Sequence, residues 1–380
     1  MKTTVTILAM FLLSLTLYAQ EIKVSITDLL VFKNDENTSL EYAFARIYKV
    51  RTDSDNNIYV QEYKQGPMGN VALIQMFSPE GKFIRTLGAK GEGPGDFNLI
   101  GDFIPIENGK LLIADDYLRR VTVYDSRSNK FEVLANSVSS FPSHAGYYLL
   151  SKGKLLIEYN NGYSKLKNLL YIKSFDLKNN YYDFGYPSVF INEDDPLIDD
   201  KVSYANLPLS VCVVNENKIA AAPSFYDGQL TMFTLENGDW KPKRFSGFKP
   251  KLNSFEKISP DDFKNGKLQD RAYVGAGMTT SKGYAYLQHQ SSRNIFTFMN
   301  KYLLHFIHLS EKPQTSFYQL DVFDLEGNYK GYKVLFTKTS ADPKMKSFSV
   351  LWKDKDENFY IVEYNNKVPI LKKVKMNISF

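Results

Sequence analysis

The chain has 380 residues and a formal net charge of +5, with charged residues at 23% and intermixed in sign. No Lys/Arg block stands out as a stripe, which speaks against a nucleic-acid partner and for simple solubility. A single cysteine, Cys212 in the run LSVCVV, excludes an internal disulfide, so the fold must hold by burial alone.

Met1 and Lys2 precede an apolar run from Val5 to Leu17 that is short for a bilayer span, and Leu17, Tyr18 and Ala19 resemble a signal-peptidase site. Residues 1–19 are therefore expected to be a secretory signal peptide, with an uncleaved anchor as the competing reading. The mature chain, 20–380, is expected to be one domain, periplasmic or secreted. With no cysteine at the cleavage point it is not expected to be lipid-anchored. No later segment is apolar enough to cross a membrane.

Aromatic residues make up 14% of the chain, with 26 Tyr and 27 Phe, a composition that favours pleated sheet over helix. Residues Ile22 to Val31 begin as an alternating strand, with Ile22, Val24 and Ile26 on one side. After the breaker KNDENTS come six units that align by their turns. Each has an apolar strand, a polar turn with Asn or Gly, and a second strand dense in Ile, Leu, Tyr and Val. The second strands are read at Asn57–Tyr63, Gly109–Asp115, Gly153–Tyr159, Asn217–Pro223, Gly283–His289 and Asn358–Tyr364. Most are followed by a second hairpin, as at Met76–Leu87, Val123–Leu134, Ser174–Phe184, Met232–Phe245 and Val322–Leu335. Four antiparallel strands repeated in this way make a blade, and the repetition of blades means a propeller or solenoid.

The sixth unit runs out of chain after Pro369–Met376, so its outermost strand must come from elsewhere. The natural donor is Ile22–Val31, which closes the ring and leaves no long exposed edge. Extra length lies in the acidic loop 187–201 and in the aromatic, basic stretch 291–312, read either as added strand in blade five or as a flap.

The first hairpin, MFSPEGKFIRTLG, runs into the glycine-rich connector GEGPGDF. With hairpins such as VFDLEGNYKGY, it resembles the six-bladed β-propellers of the NHL and TolB-like type found in exported bacterial proteins. The resemblance covers nearly all of Ile22–Phe380 and implies an all-β fold: six four-stranded blades, the last completed by the N-terminal strand. It implies a binding scaffold, since only some related propellers are lyases or lactone hydrolases. The NHL aspartate after the second strand recurs only as Asp115, and blades three and four lack the glycine connector.

In a meandering blade the connectors after strands two and four emerge on one face, so the ends of the second strands share a rim. That rim would carry Glu62, Tyr63, Asp115, Glu158, Tyr159, Gln288, His289, Glu363 and Tyr364. One reading is a ligand or Ca²⁺ site, in which oxygen donors suit a hard ion and tyrosine rings suit a sugar or peptide. The other is that the carboxylates accept backbone N–H bonds and order their loops while the tyrosines pack between blades.

Other chemistry has weaker signals. GAKGEGPGDF could bind an anion through backbone N–H groups, yet it lacks a GK[ST] ending and a following helix. His305 and His308 have no nearby carboxylate or cysteine to complete a metal set. No GxSxG elbow is present, and Cys212 reads as a small buried hydrophobe. The expectation is an exported, monomeric binding or scaffolding propeller for a small polar ligand, glycan, peptide or cell-envelope protein, with no assigned cofactor. The alternative is a metal-dependent hydrolase or lyase at the channel mouth.

Overall fold

The computed structural model describes residues 21–32, 44–66, 69–135, 146–158, 170–174, 180–184, 209–253, 255–268, 270–278, 285–339, 347–365 and 368–379. Residues 1–19, expected to be a signal peptide, lie outside them, as do Tyr159 and the acidic loop 187–201.

Six four-stranded antiparallel sheets follow one another along the chain. After β1 (Lys23–Phe32), blade one is built from β2 (Ile47–Thr52), β3 (Ile58–Gly66), β4 (Gly69–Phe77) and β5 (Phe83–Leu87). Blade two has β6 (Ile100–Ile106), β7 (Lys110–Asp115), β8 (Arg120–Asp125) and β9 (Lys130–Ala135). Blade three has β10 (Gly146–Ser151), β11 (Lys154–Glu158), β12 (Leu170–Ser174) and β13 (Asn180–Phe184). Blade four has β14 (Leu209–Asn215), β15 (Lys218–Pro223), β16 (Gln229–Glu236) and β17 (Asp239–Ser246).

A small three-stranded sheet then intervenes, made of β18 (Phe255–Ile258), β19 (Gly275–Met278) and β20 (Ala285–Gln288), with β20 in the middle and a short helix α1 (Pro260–Lys264) beside it. Blade five follows with β21 (Gln290–Phe298), β22 (Tyr302–Lys312), β23 (Thr315–Asp324) and β24 (Tyr329–Thr339). Blade six has β25 (Ser347–Lys353), β26 (Asn358–Asn365) and β27 (Val368–Ser379), and its outer strand is β1. The register of that last pair runs from Lys23 opposite Ser379 to Phe32 opposite Leu371. The first strand thus completes the last sheet, as the shortfall of the sixth unit after Met376 predicts.

The core is a set of six wedges, one between each pair of neighbouring blades. Between blades one and two lie Tyr59, Ile74, Phe97, Phe103, Leu111 and Tyr124. Between five and six lie Phe296, Leu304, Phe306, Phe348, Phe359 and Ile361. Between six and one, Phe32, Phe44, Val60 and Phe77 meet Tyr360 and Val362. A second strand such as IYV or LLI is covered on both faces, which is why it reads as a continuous apolar run instead of an alternating one. Burial of this kind stabilises by roughly 1.5–3 kcal/mol for each large side chain.

One unit departs from its sequence reading. Within GYAYLQH, Ala285–Gln288 form not the second strand of blade five but the middle of the intervening small sheet, and Gln290–Phe298 with Tyr302–Lys312 supply the blade's first two strands. The reason is local: GYAYLQH carries the Gly-then-aromatic signal of the repeat. The true turn uses Met299 and Asn300, both at φ +52, and has no glycine to announce it. The small sheet packs on blade four, where Phe225 meets Phe255 at 5.7 Å and Tyr286 at 5.4 Å between ring centres.

Candidate binding channel

Each blade starts at its inner edge, and the first strand of every blade touches the first strands of both neighbouring blades. The six first strands therefore ring a common axis. A cavity of about 630 Å³ lies along it, walled by residues of all six: Tyr48 to Thr52 of β2, Gly101 to Pro105 of β6, Gly146 to Leu149 of β10, Val211 to Val213 of β14, Asn294 to Thr297 of β21 and Leu351 to Lys353 of β25. Its size is in the range of small-molecule sites.

Polar groups tie the wall together across blades. Asp102, fully buried on β6, accepts from its neighbour Phe103 N at 2.8 Å and from Tyr147 N of blade three at 2.8 Å. The same carboxylate pairs with Lys49 Nζ of blade one at 2.9 Å, with Arg51 Nη2 at 3.7 Å. A buried carboxylate with this set of partners holds three inner strands in register. Across the ring, Trp352 Nε1 of blade six donates to Thr52 Oγ1 at 3.0 Å, and the Arg51 guanidinium lies 4.4 Å above the indole ring. Asn294 Nδ2 donates to Val350 O at 2.7 Å, joining blades five and six.

The two faces of the ring differ. On the face of the first-to-second-strand turns, blades one and six are clasped by Lys355 Nζ donating to Ser54 O and Asn56 Nδ2 donating to Asp356 Oδ2, both at 2.6 Å. The turns themselves share a device: Asp53 and Asp354 each accept from the backbone N–H groups two and four residues on and from the Asn57 or Asn358 side chain. On the opposite face Tyr48 is 40% exposed at the cavity mouth, edge-on to Tyr63 at 4.6 Å and with the Arg46 guanidinium 4.8 Å over its ring.

Of the rim residues expected from the second strands, Glu158 reaches the cavity wall, where its Oε2 accepts from Tyr148 OH at 3.1 Å. Glu62 is fully buried and accepts from Ala45 N at 3.2 Å, with Lys64 Nζ at 3.2 Å and Gln75 Nε2 also on it. Burial pushes its pKa up, partly offset by Lys64. Asp115 accepts from the backbone N–H groups of Asn98, Leu99, Tyr117 and Leu118 and so orders its own loops. Glu363 is bonded by Lys372 at 3.3 Å. Tyr63 donates to Ile100 O at 3.2 Å, and Tyr364 packs against the wedge between blades six and one.

Gln288 and His289 belong to the small sheet and its exit. Gln288 donates to Ser224 O at 2.9 Å, and His289 Nδ1 donates to Ala272 O at 2.6 Å. Among the described residues no three His, Cys, Asp or Glu side chains gather in a metal-holding group, Glu62, Glu158 and Glu363 included. The glycine connector after blade one turns its carbonyls inward: Glu92 O, Gly93 O and Asp96 O all accept from the buried Arg120 guanidinium. A loop that presents carbonyls to a cation is no anion cradle. Cys212 lines the channel, but burial pushes its thiol up to about 12, so it is not a nucleophile at neutral pH.

Lys49, Arg51, Asp102, Tyr148 and Trp352 all lie on first strands, outside the set expected from the second-strand ends. Their signal is the charged pair inside YKVRT: polar residues in a strand that must lie innermost belong to a wall.

The sequence profile of the DUF5128 family, described as a 6-bladed beta-propeller, matches residues 37–346. Among solved structures, a putative exported protein from Bacteroides fragilis aligns at 12% identity over 95% of this chain and 98% of that one, with a TM-score of 0.53. A duf4221 family member from Bacteroides vulgatus aligns at 13% identity over 95% and 100%, with a TM-score of 0.54. At such identity the likeness conveys the fold alone. No curated protein matches the sequence.

Proposed function

From the premise that this chain belongs to the DUF5128 family of six-bladed β-propellers, we propose that it is an exported binding module that holds a small polar ligand in its axial channel. The observation that carries the reading is the cavity of about 630 Å³ to which all six blades contribute, lined by charged and aromatic side chains. Such a lining, mixing flat apolar faces with a few fixed polar groups, is what oriented binding of a small molecule needs. No helix among the described residues is long and apolar enough to cross a membrane. On this reading residues 1–19 are removed on export and 20–380 act as one domain in the periplasm or outside the cell. The NHL and TolB-like kinship fits the same role.

Thermal-shift screening of the mature chain against Ca²⁺, oligosaccharides and peptides tests the proposal, since a ligand that binds only the folded state raises Tm. A shift that disappears in Thr297→Trp, which fills the channel from its wall, supports the axial site. A shift that survives in a folded Thr297→Trp moves the site elsewhere, to the rim with Glu62 and Glu363 for example. No shift with any compound leaves a cell-envelope protein as the partner.

A further inference from the structure

The charges of the channel wall are unequal, and their imbalance names a ligand class for the binding role just proposed, on which this step rests. Lys49, Arg51, Lys353 and Lys355 stand in the wall, against the carboxylates of Glu158 and Asp354 in the wall and Asp102 behind it. Glu357 and Lys373, which pair with Lys353 and Asp354, cancel one another. One positive charge is left over.

Lys355 is exposed on the turn face, so the buried surplus falls on Arg51. Lys49 has Asp102 at 2.9 Å and Gly101 O at 3.2 Å, whereas Arg51 is 8% exposed and poorly matched. A guanidinium offers five N–H donors. Here Nη1 bonds only to Val50 O of its own strand at 3.2 Å, Nη2 stands 3.7 Å from Asp102, and Nε makes no hydrogen bond. A buried, under-bonded cation is costly unless a partner arrives. Trp352 backs the guanidinium at 4.4 Å on one side, and a planar fork of donors suits a planar, two-oxygen acceptor.

We propose that the channel selects a small molecule carrying a single carboxylate, which Arg51 binds with its free donors while Lys49 and Lys353 flank it. The aromatic rings of Tyr48 and Tyr148 then face the body of the ligand.

The test is isothermal calorimetry and thermal shift on the mature chain with acetate, lactate, benzoate, gluconate and glucuronate. Each is set against a neutral counterpart such as lactamide, benzamide or glucose, with inorganic phosphate as a further arm. The expected result is that at least one carboxylate binds while its neutral counterpart does not, and that phosphate is weaker. Affinity should fall about ten- to a hundredfold in Arg51→Gln, the range for a charge-assisted hydrogen bond. Should that variant fail to fold, Lys353→Gln, which leaves the Arg51 and Trp352 stack intact, should weaken binding about threefold or more.

Equal binding of acid and neutral counterpart, or tighter binding of phosphate, overturns the carboxylate class while leaving the channel as the site. If no compound of either panel binds, the class is overturned together with the small-ligand role.

Discussion

Asp321 has no exposed surface between blades four and five, where it accepts from Gln319 Nε2 at 2.7 Å and Phe248 N at 3.2 Å. Burial pushes its pKa up to about 7, so the folded chain keeps a proton that the unfolded chain, at an ordinary 3.8, releases. Its contribution is full below pH 3.8 and is lost as pH rises through 7. The histidines nearby act in the opposite sense. Burial holds His305 and His308 down to about 3 from an ordinary 6.5, His308 also feeling Arg293 and Lys338. The unfolded chain takes up those protons first, so stability falls as pH drops below 6.5, by about 2 kcal/mol per histidine at pH 5. In the wild type the two trends partly cancel. Asp321→Asn removes one of them, so its loss of stability between pH 7.5 and 5, measured by urea unfolding, should exceed the wild-type loss by about 2 kcal/mol. An equal or smaller loss would mean that Asp321 is ionised in the fold.

Among the elements, the connector between blades one and two shows how a motif can be legible while its purpose is not. Gly88 stands at φ +96, and a Cβ there would lie 2.7 Å from the ring of the buried Phe97, so both the turn and the close approach require glycine. A glycine turn at this point is legible in TLGAKGEGPGDF, though the contact with Phe97 is not. Nor is the clamp: Arg120 comes from the next blade and receives three carbonyls from this loop. Arg120→Ala should therefore cost about 3 kcal/mol in urea unfolding, the upper range for bonds to a charged group. It should also open Lys90 to trypsin faster than in the wild type. Unchanged cleavage together with unchanged stability would show that the loop holds itself.

For the whole molecule, closure depends on β1. Ile22 and Phe32 are buried in the wedges on the two sides of blade six, and the strand covers the edge of β27. Deleting residues 21–32 removes two large buried side chains at about 2 kcal/mol each as well as a full ladder of hydrogen bonds. With roughly 2 °C of Tm per kcal/mol in a chain of this size, Tm should fall by about 10 °C or more. A synthetic peptide of residues 21–32 added in trans should restore part of the loss, because the exposed edge is a template for one more strand. No change in Tm on deletion would show that the ring closes without this strand. The same scale explains the misplaced fifth unit. Repeat signals are local, and Gly283 with its aromatic strand satisfies them as well as any blade does. Only the path of the chain places that strand in a separate sheet and gives its role to Tyr302–Lys312.

Strand content, the count of six blades and the completing role of the N-terminal strand were determined by the sequence itself. Each depends on periodicity and turn chemistry within a few tens of residues, repeated often enough to be read without contacts. The channel was decided by tertiary structure. Which of several polar residues in a blade faces the axis depends on which strand is innermost and how the blades are rotated against each other. Arg51, Asp102 and Trp352 come from three different blades and meet only once the ring has closed. The fates of Glu62 and Asp115 were likewise undetermined, since a carboxylate at a strand end looks the same in sequence whether it meets a ligand or its own loop's N–H groups. Burial and the aim of the neighbouring backbone settle that difference, and both arise only when the sheets pack.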